Sequence, residues 1–443
     1  MREETSYRNI WRIAYPIIVG SISQNVLNIT DTIFLGHLGE QELAAGALGT
    51  LFYLTIMMVI TGFTIGNQII MARRFGEERP ADIGKTFASS TLLLLAITIT
   101  VFAAVKLFAS NLIPTLVSNE MIALQVGDFV QYRIWGVYAA AFTLLFRSFY
   151  VATANTKVLI SVTTTTVGLN IVLNYLLIFG KFGFPALGFN GAAIASVISE
   201  MAGFAIILGY TIYRKYPKAF GLFNIRSFDM RVAGETLKLA SPVMLQHLIS
   251  FSAWFVIFLI IERMGERSLA ISNIVRSLYI AMMMPIWGFA EATNSLVSYL
   301  MGERHFDRIA TVVTRSMLLS FCSVVLVVAC FYLMLPQVIG FYSPDASLVA
   351  DTIPVAKVVM IGATTMSLGF ITFMAVSGTG NTLTAFGLEL SDIALYIAIT
   401  FILTEYTNIN VTNIWFVETF YAGYMLLVCS LYLRFGKWRN KVI

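Results

Sequence analysis

One carboxylate, Asp31, lies in a long apolar run, IAYPIIVGSISQNVLNITDTIFLGHLG, where nothing else is charged. A carboxylate can hold a proton or a monovalent cation, and on a membrane-spanning helix it costs about 2.5–3.5 kcal/mol on insertion scales. Ser21, Gln24, Asn28 and Asp31 follow spacings of three, four and three. At about 100° per residue they fall within an arc of roughly 80° on one helix face. A polar stripe ending in an acid reads as the wall of an ion or substrate path. The alternative is a structural acid bonded to a neighbouring helix end.

Asn170 and Asn174, in SVTTTTVGLNIVLNYLLIFG, are four apart and share a helix face. Together with Asp31 they offer oxygen ligands suited to Na⁺, or a hydrogen-bonded setting for a protonatable acid. Taken alone, the two amides equally suit bonds between packed helices. Other acids interrupt later apolar runs: Glu200, Glu291, Glu389, Asp392 and Glu418. Glu291 continues a face with Trp287, Asn294 and Ser298, and Trp254 shares one with His247 and Ser250. A Trp beside a Glu suits organic cations, through ring quadrupole and charge. Gln24, Asn28, His247, Trp254, Trp287, Glu291 and Asn294 are therefore candidates for a substrate cavity, although His247 reads equally as a hydrogen-bonded core group. Glu389 lies three before Asp392 in span eleven, and a solvated position near the cytoplasmic end is its alternative reading.

The motifs of enzyme chemistry are missing. No metal-ligand cluster, nucleophile elbow, P-loop or HExxH occurs, so neither ATP hydrolysis nor proteolysis has a site. Cys322, Cys330 and Cys429 lie in apolar runs without ligand spacing and read as inert core residues. No cofactor is expected beyond Na⁺ as a coupling ion.

The elements that must carry these residues are membrane helices. Of 443 residues, 58% are hydrophobic and only 12% charged, with a mean hydropathy of +0.80. A soluble domain carries about 25% charged residues. Apolar stretches of the length needed to cross a ~30 Å hydrocarbon core recur twelve times, the first opening at Pro16 and the seventh at Pro242. The start of the chain lacks a signal-peptide cleavage pattern, so the first span is expected to stay. Lys and Arg collect in alternate loops: Arg2, Arg8 and Arg12, then Arg73 to Lys85, then Arg214 to Arg231, then Arg304 and Arg308, then Arg434 to Lys441. The positive-inside rule therefore puts both termini and the central loop in the cytoplasm, and the expected location is the inner (plasma) membrane. The net charge of +5 is spread between spans without an aromatic-interleaved basic patch, so nucleic acid is not an expected partner.

The chain repeats itself. At an offset of 226, Pro16 falls on Pro242, Gly39 on Gly265, Tyr53 on Tyr279, Gly76-Glu77 on Gly302-Glu303, and Asn155-Thr156 on Asn381-Thr382. The predicted fold is an all-α integral membrane protein of twelve transmembrane helices in two six-helix bundles. The bundles cover 1–220 and 221–443, joined by a cytoplasmic linker near 214–235. Six spans per copy make the repeat parallel, an arrangement that suits a secondary transporter rocking about a central site. No filter-like loop speaks for a channel. Asp31 maps onto Ile257, Asn170 onto Tyr396 and Asn174 onto Thr400, so the candidate ion site is private to the first copy.

At these residues the sequence resembles the multidrug and toxic compound extrusion (MATE) family. The resemblance rests on Asn28-x-x-Asp31-Thr32, Gly36-x-x-Gly39, Leu43-Ala44-Ala45 and the Gly-Glu-Glu loop after the second span. It rests equally on Asn170-x-x-x-Asn174, Gly180-x-x-Gly183-x-Pro185 and Gly191-Ala192-Ala193-x-Ala195-Ser196. It implies an antiporter, expected as a monomer, that exports cationic amphipathic compounds or drugs while Na⁺ or H⁺ moves inward. It also implies a coupling-cation site of Asp31, Asn170, Asn174 and a hydroxyl matching Ser196. Members with an acid at the second span-five position have Asn174 here. Ser250 stands where one branch has an acid in span seven, and the middle of span ten has none. The rival expectation is a flippase of the same superfamily for lipid-linked oligosaccharide or polysaccharide. Such a cavity should gather mid-membrane Arg and Lys, whereas only Arg133, Arg147, Arg276 and Lys357 fall within spans and acids are at least as numerous there.

Overall fold

A computed structural model describes residues 5–117, 119–224, 228–343, 345–406 and 410–441. Arg2 and Arg226, counted in the charge asymmetry above, lie outside them. Among the described residues every regular element is helical. The long helices are α1 (Tyr7–Gly36), α2 (Glu40–Gly76), α3 (Pro80–Leu116), α4 (Glu120–Arg133) with α5 (Val137–Ala152), α6 (Lys157–Phe179) and α7 (Phe189–Tyr213). A short α8 (Tyr216–Phe220) follows. Then come α9 (Met230–Glu262), α10 (Glu266–Gly302), α11 (Phe306–Leu333), a short α12 (Leu335–Gly340), α13 (Ala346–Gly378), α14 (Thr382–Tyr406) and α15 (Val411–Phe435). With α4 and α5 counted as one span, these are the twelve long helices expected.

Eleven of the twelve are both long and apolar enough to cross a bilayer among the described residues. The exception is α1, whose polar stripe lowers its hydropathy. Its apolar side is intact: Ile22, Val26, Ile29 and Ile33 are exposed on the face opposite Asp31. Pro16 and Pro242 do not open their helices as the sequence suggested. Both lie inside, because α1 and α9 extend back to Tyr7 and Met230 through polar residues, and each proline removes one helix hydrogen bond. The three cysteines also divide. Cys429 is buried, but Cys322 and Cys330 are exposed along α11 rather than in a core.

The repeat is written into the backbone. Helix α2 spans Glu40–Gly76 and α10 spans Glu266–Gly302, residue for residue at the offset of 226. Positive φ recurs at the same offset, at Glu78 and Arg304 and again at Ala154 and Gly380. One break is not shared. A 3₁₀ turn, Ile134–Gly136, divides α4 from α5, whereas its counterpart α13 is continuous.

Contacts divide the chain into two compact units, Val19–Met244 and Met1–Ile18 with Leu245–Ile443. Each changeover falls two residues after a proline, Pro16 or Pro242. In the first unit, Gly62 and Gly66 of α2 take the backbone of Met244 and Ala240 at close range. In the second, Gly288 of α10 lies against the carbonyl of Ala14.

Candidate functional site

The α6–α7 hairpin builds the site in the first unit. Gly180, at φ +64, ends α6 in the left-handed conformation that favours glycine. The Leu187 N–H then returns to the Leu177 carbonyl at 2.8 Å. Gly191 brings α7 hard against the same turn, since a side-chain carbon there would lie 2.7 Å from that carbonyl. This close approach sets Asn170 and Asn174, one turn apart on α6, facing Ser196 and Ser199 on α7.

The result is one hydrogen-bonded chain. Asn174 Nδ2 donates to Asp31 Oδ1 at 2.5 Å and to Asn170 Oδ1 at 2.9 Å. Asn170 Nδ2 donates to Ser196 Oγ at 3.1 Å and lies 3.5 Å from Ser199 Oγ. Ser199 Oγ in turn donates to the Ser196 carbonyl at 2.9 Å. Both asparagines are buried and Asp31 is half-buried. The Phe34 and Phe179 rings meet edge-on at 6.0 Å beside the site and fix α1 against α6. Asn174 Oδ1 is buried with no hydrogen-bond partner among the described residues. A carboxylate beside an orphaned amide oxygen is an electronegative setting short of a donor. A proton on Asp31, or a monovalent cation between Asp31 and Asn174 Oδ1, would satisfy it. Gln24 and Asn28 are exposed on α1 and do not join the chain.

Beside it lies a group that sequence reasoning left unpaired. Arg133, at the end of α4, donates from Nη1 to Glu200 Oε2 at 2.7 Å and from Nη2 to Oε1 at 2.5 Å. Its guanidinium lies 3.8 Å from the centre of the Tyr53 ring, whose hydroxyl is 3.5 Å from Glu200 Oε2. Gly136 in the 3₁₀ turn leaves room for this bidentate pair, because a side chain there would meet both partners. The Arg133 charge also acts on Asp31. Opposite charges inside spans four and six were the available signal, but nothing in the spacing joined them.

The candidates in the second unit scatter. Asn294 is buried and donates to the Met374 carbonyl at 3.1 Å, while Gly378 packs on the Asn294 carbonyl. Its side chain is thus engaged in helix packing. Trp287 is 39% exposed, and Glu291 and His247 are half-buried. Trp254 stacks on Tyr279 at 6.3 Å, and the Tyr279 hydroxyl donates to Glu418 Oε1 at 2.6 Å. Glu389 is not solvated. It is buried, with its Oε1 2.5 Å from Ser250 Oγ.

Comparison with known proteins adds a family. The model of the family described as MatE matches residues 16–176 and 242–402, two segments at the same offset of 226. A probable multidrug resistance protein NorM of Synechocystis is 23% identical over 309 residues, covering 68% of this chain and 66% of that protein. The NorM of Thermotoga maritima is 22% identical over 444 residues, covering 98% and 94%. The chain spans just under two thirds, 62–66%, of several curated relatives that it matches. A transporter of the MOP superfamily from Pyrococcus furiosus, described as having a binding pocket of reversed polarity, has the same fold. It superposes with a TM-score of 0.90 at 21% identity, covering 98% of this chain and 97% of that one.

Proposed function

We propose that this chain, which belongs to the MatE family of membrane transporters, is an antiporter that exports cationic amphipathic compounds as Na⁺ or H⁺ moves inward. The observation that carries the reading is the chain of hydrogen bonds from Asp31 through Asn174 and Asn170 to Ser196. The multidrug-resistance names of the NorM relatives support drug-like cargo. Positive-inside loops support an inner-membrane protein with both termini in the cytoplasm.

Asp31 works in this scheme as a single exchangeable charge. Asn174 orients the carboxylate by donating to Oδ1, and Asn170 holds Asn174 in turn. Neutralised by a proton or by Na⁺, Asp31 no longer attracts a cationic compound; vacated, it does. Ion and cargo thereby compete for one charge. The gradient is transduced only if the ion favours one conformation over the other.

The charge pattern also bears on the flippase alternative. The Arg133 guanidinium is engaged by Glu200, whereas Glu389, Asp392 and Glu418 form no ion pair among the described residues. Anionic cargo would need the opposite balance. Export measured in inverted vesicles, with the Na⁺ and pH gradients collapsed separately, tests the reading. Loss of export on collapsing one gradient is expected. Undiminished export with both collapsed rules antiport out.

A further inference from the structure

Buried acids without bases set the second unit apart. Glu389 and Asp392, three apart on α14, and Glu418 on α15 are 5%, 1% and 4% exposed. Asp392 feels the charge of both other carboxyls. Among the described residues neither Asp392 oxygen has a hydrogen-bond partner, nor has Glu389 Oε2. Glu418 is the exception, with hydroxyl donors from both Tyr279 and Tyr396.

We propose that Glu389, Asp392 and Glu418 form a proton-binding site of the second unit, in addition to Asp31. A buried carboxylate without a counter-ion carries a desolvation penalty of several kcal/mol, and like charges beside it add to that. Glu418 has two phenol donors and Glu389 one hydroxyl, that of Ser250, whereas among the described residues Asp392 has no donor. A shared metal ion does not resolve the problem, because among the described residues no three acids, histidines or cysteines are arranged to hold one. Each carboxyl is neutralised on its own, by a proton taken from water and returned to it.

The hydroxyl of Ser250 supports this count. Its Oγ is 2.5 Å from Glu389 Oε1 and 2.8 Å from the Gln246 carbonyl. A hydroxyl has one hydrogen but can accept others. With its hydrogen on Glu389, Ser250 is that carboxyl's one donor; with its hydrogen on the Gln246 carbonyl, only a protonated Glu389 completes the contact.

Among the described residues, the groups that sense the cluster bring it no positive charge. Tyr279 of α10, Tyr396 of α14, and Tyr421 and Cys429 of α15 all sense the cluster, and all are neutral when protonated. His247 lies one turn before Ser250 on α9 and is half-buried. Arg276 of α10 is directed over the Phe258 ring, and Lys357 of α13 over that of Tyr332. In the first copy the positions of Glu389 and Asp392 are Thr163 and Thr166, so the acids are private to the second.

The test uses the full chain in nanodiscs with Asp31→Asn as background, reading the infrared carbonyl stretch of protonated carboxyls. The expected result is a band that survives Asp31→Asn, titrates with pH, and loses intensity in Glu389→Gln and again in Asp392→Asn. A pH-independent band, or one that neither substitution changes, overturns the proposal. Ser250→Ala is the control that keeps every acid. A shift of the Glu389 band is expected, and an unmoved band counts against the site. Because Asp31 is already neutral in this background, a negative result leaves the antiport reading standing.

Discussion

Asn174 and Asp31, 143 residues apart, meet at 2.5 Å, the amide of one donating to the carboxylate of the other. Two features of the chain make this contact. Gly191 lets α7 close on α6, and the polar stripe of α1 turns its acid away from the exposed face of Ile22, Val26, Ile29 and Ile33. Among the described residues the contact leaves Asn174 Oδ1 without a donor, and in the proposed function the coupling cation answers that deficit.

Replacing that amide with a second acid should strengthen the demand. Asn174→Asp would set two carboxylates at hydrogen-bond distance, and they cannot both ionise without a cation between them. The apparent affinity for the coupling cation should rise about tenfold, or ~1.4 kcal/mol. An ion titration of transport rate reads this directly. An unchanged half-saturation would mean that Asn174 is outside the ion site.

The ion pair at Arg133 makes a different prediction, about stability. Glu200→Gln leaves a half-buried guanidinium unpaired, a loss of about 1–3 kcal/mol. The double variant Glu200→Gln with Arg133→Gln should recover most of it, since no charge is then stranded. Thermal denaturation of the purified variants makes the comparison. A double variant less stable than Glu200→Gln alone would show that Arg133 stabilises the fold by some other means.

Residues far apart in sequence were legible to very different degrees. Asp31 stood out because a lone charge in an apolar run is costly, and Asn170 and Asn174 because their repeat partners, Tyr396 and Thr400, are different. The helix lengths and the offset of 226 were readable for the same reason: hydrophobic period and repetition are local signals. Arg133 and Glu200 were each visible as charges inside spans. Their pairing depends on the 3₁₀ turn at Ile134–Gly136, which has no signature in a sequence otherwise able to continue as helix. The two readings of Glu389 could not be separated, because position along a span says nothing of what packs over it. In the structure Ser250 does so. The duplicated tyrosines illustrate the same limit. Tyr53 approaches Glu200 and Tyr279 donates to Glu418, although those two acids are not equivalent in the repeat.

Gly191 offers a test of positioning without touching any ligand. Gly191→Ala places a methyl 2.7 Å from the Leu177 carbonyl, so α7 must move away from α6. Overpacking of this kind costs about 1–3 kcal/mol, and the Asn170–Ser196 contact should lengthen with it. Thermal stability and apparent ion affinity should both fall. A variant that loses neither would place the α6–α7 approach outside the requirements of the site.

The central claim, that Asp31 carries the coupling ion, is tested most directly by Asp31→Asn in proteoliposomes, measuring two fluxes of one cationic substrate. The account predicts that uphill accumulation driven by an ion gradient falls to background, while downhill equilibration without a gradient persists. Uphill accumulation at the wild-type level would contradict it.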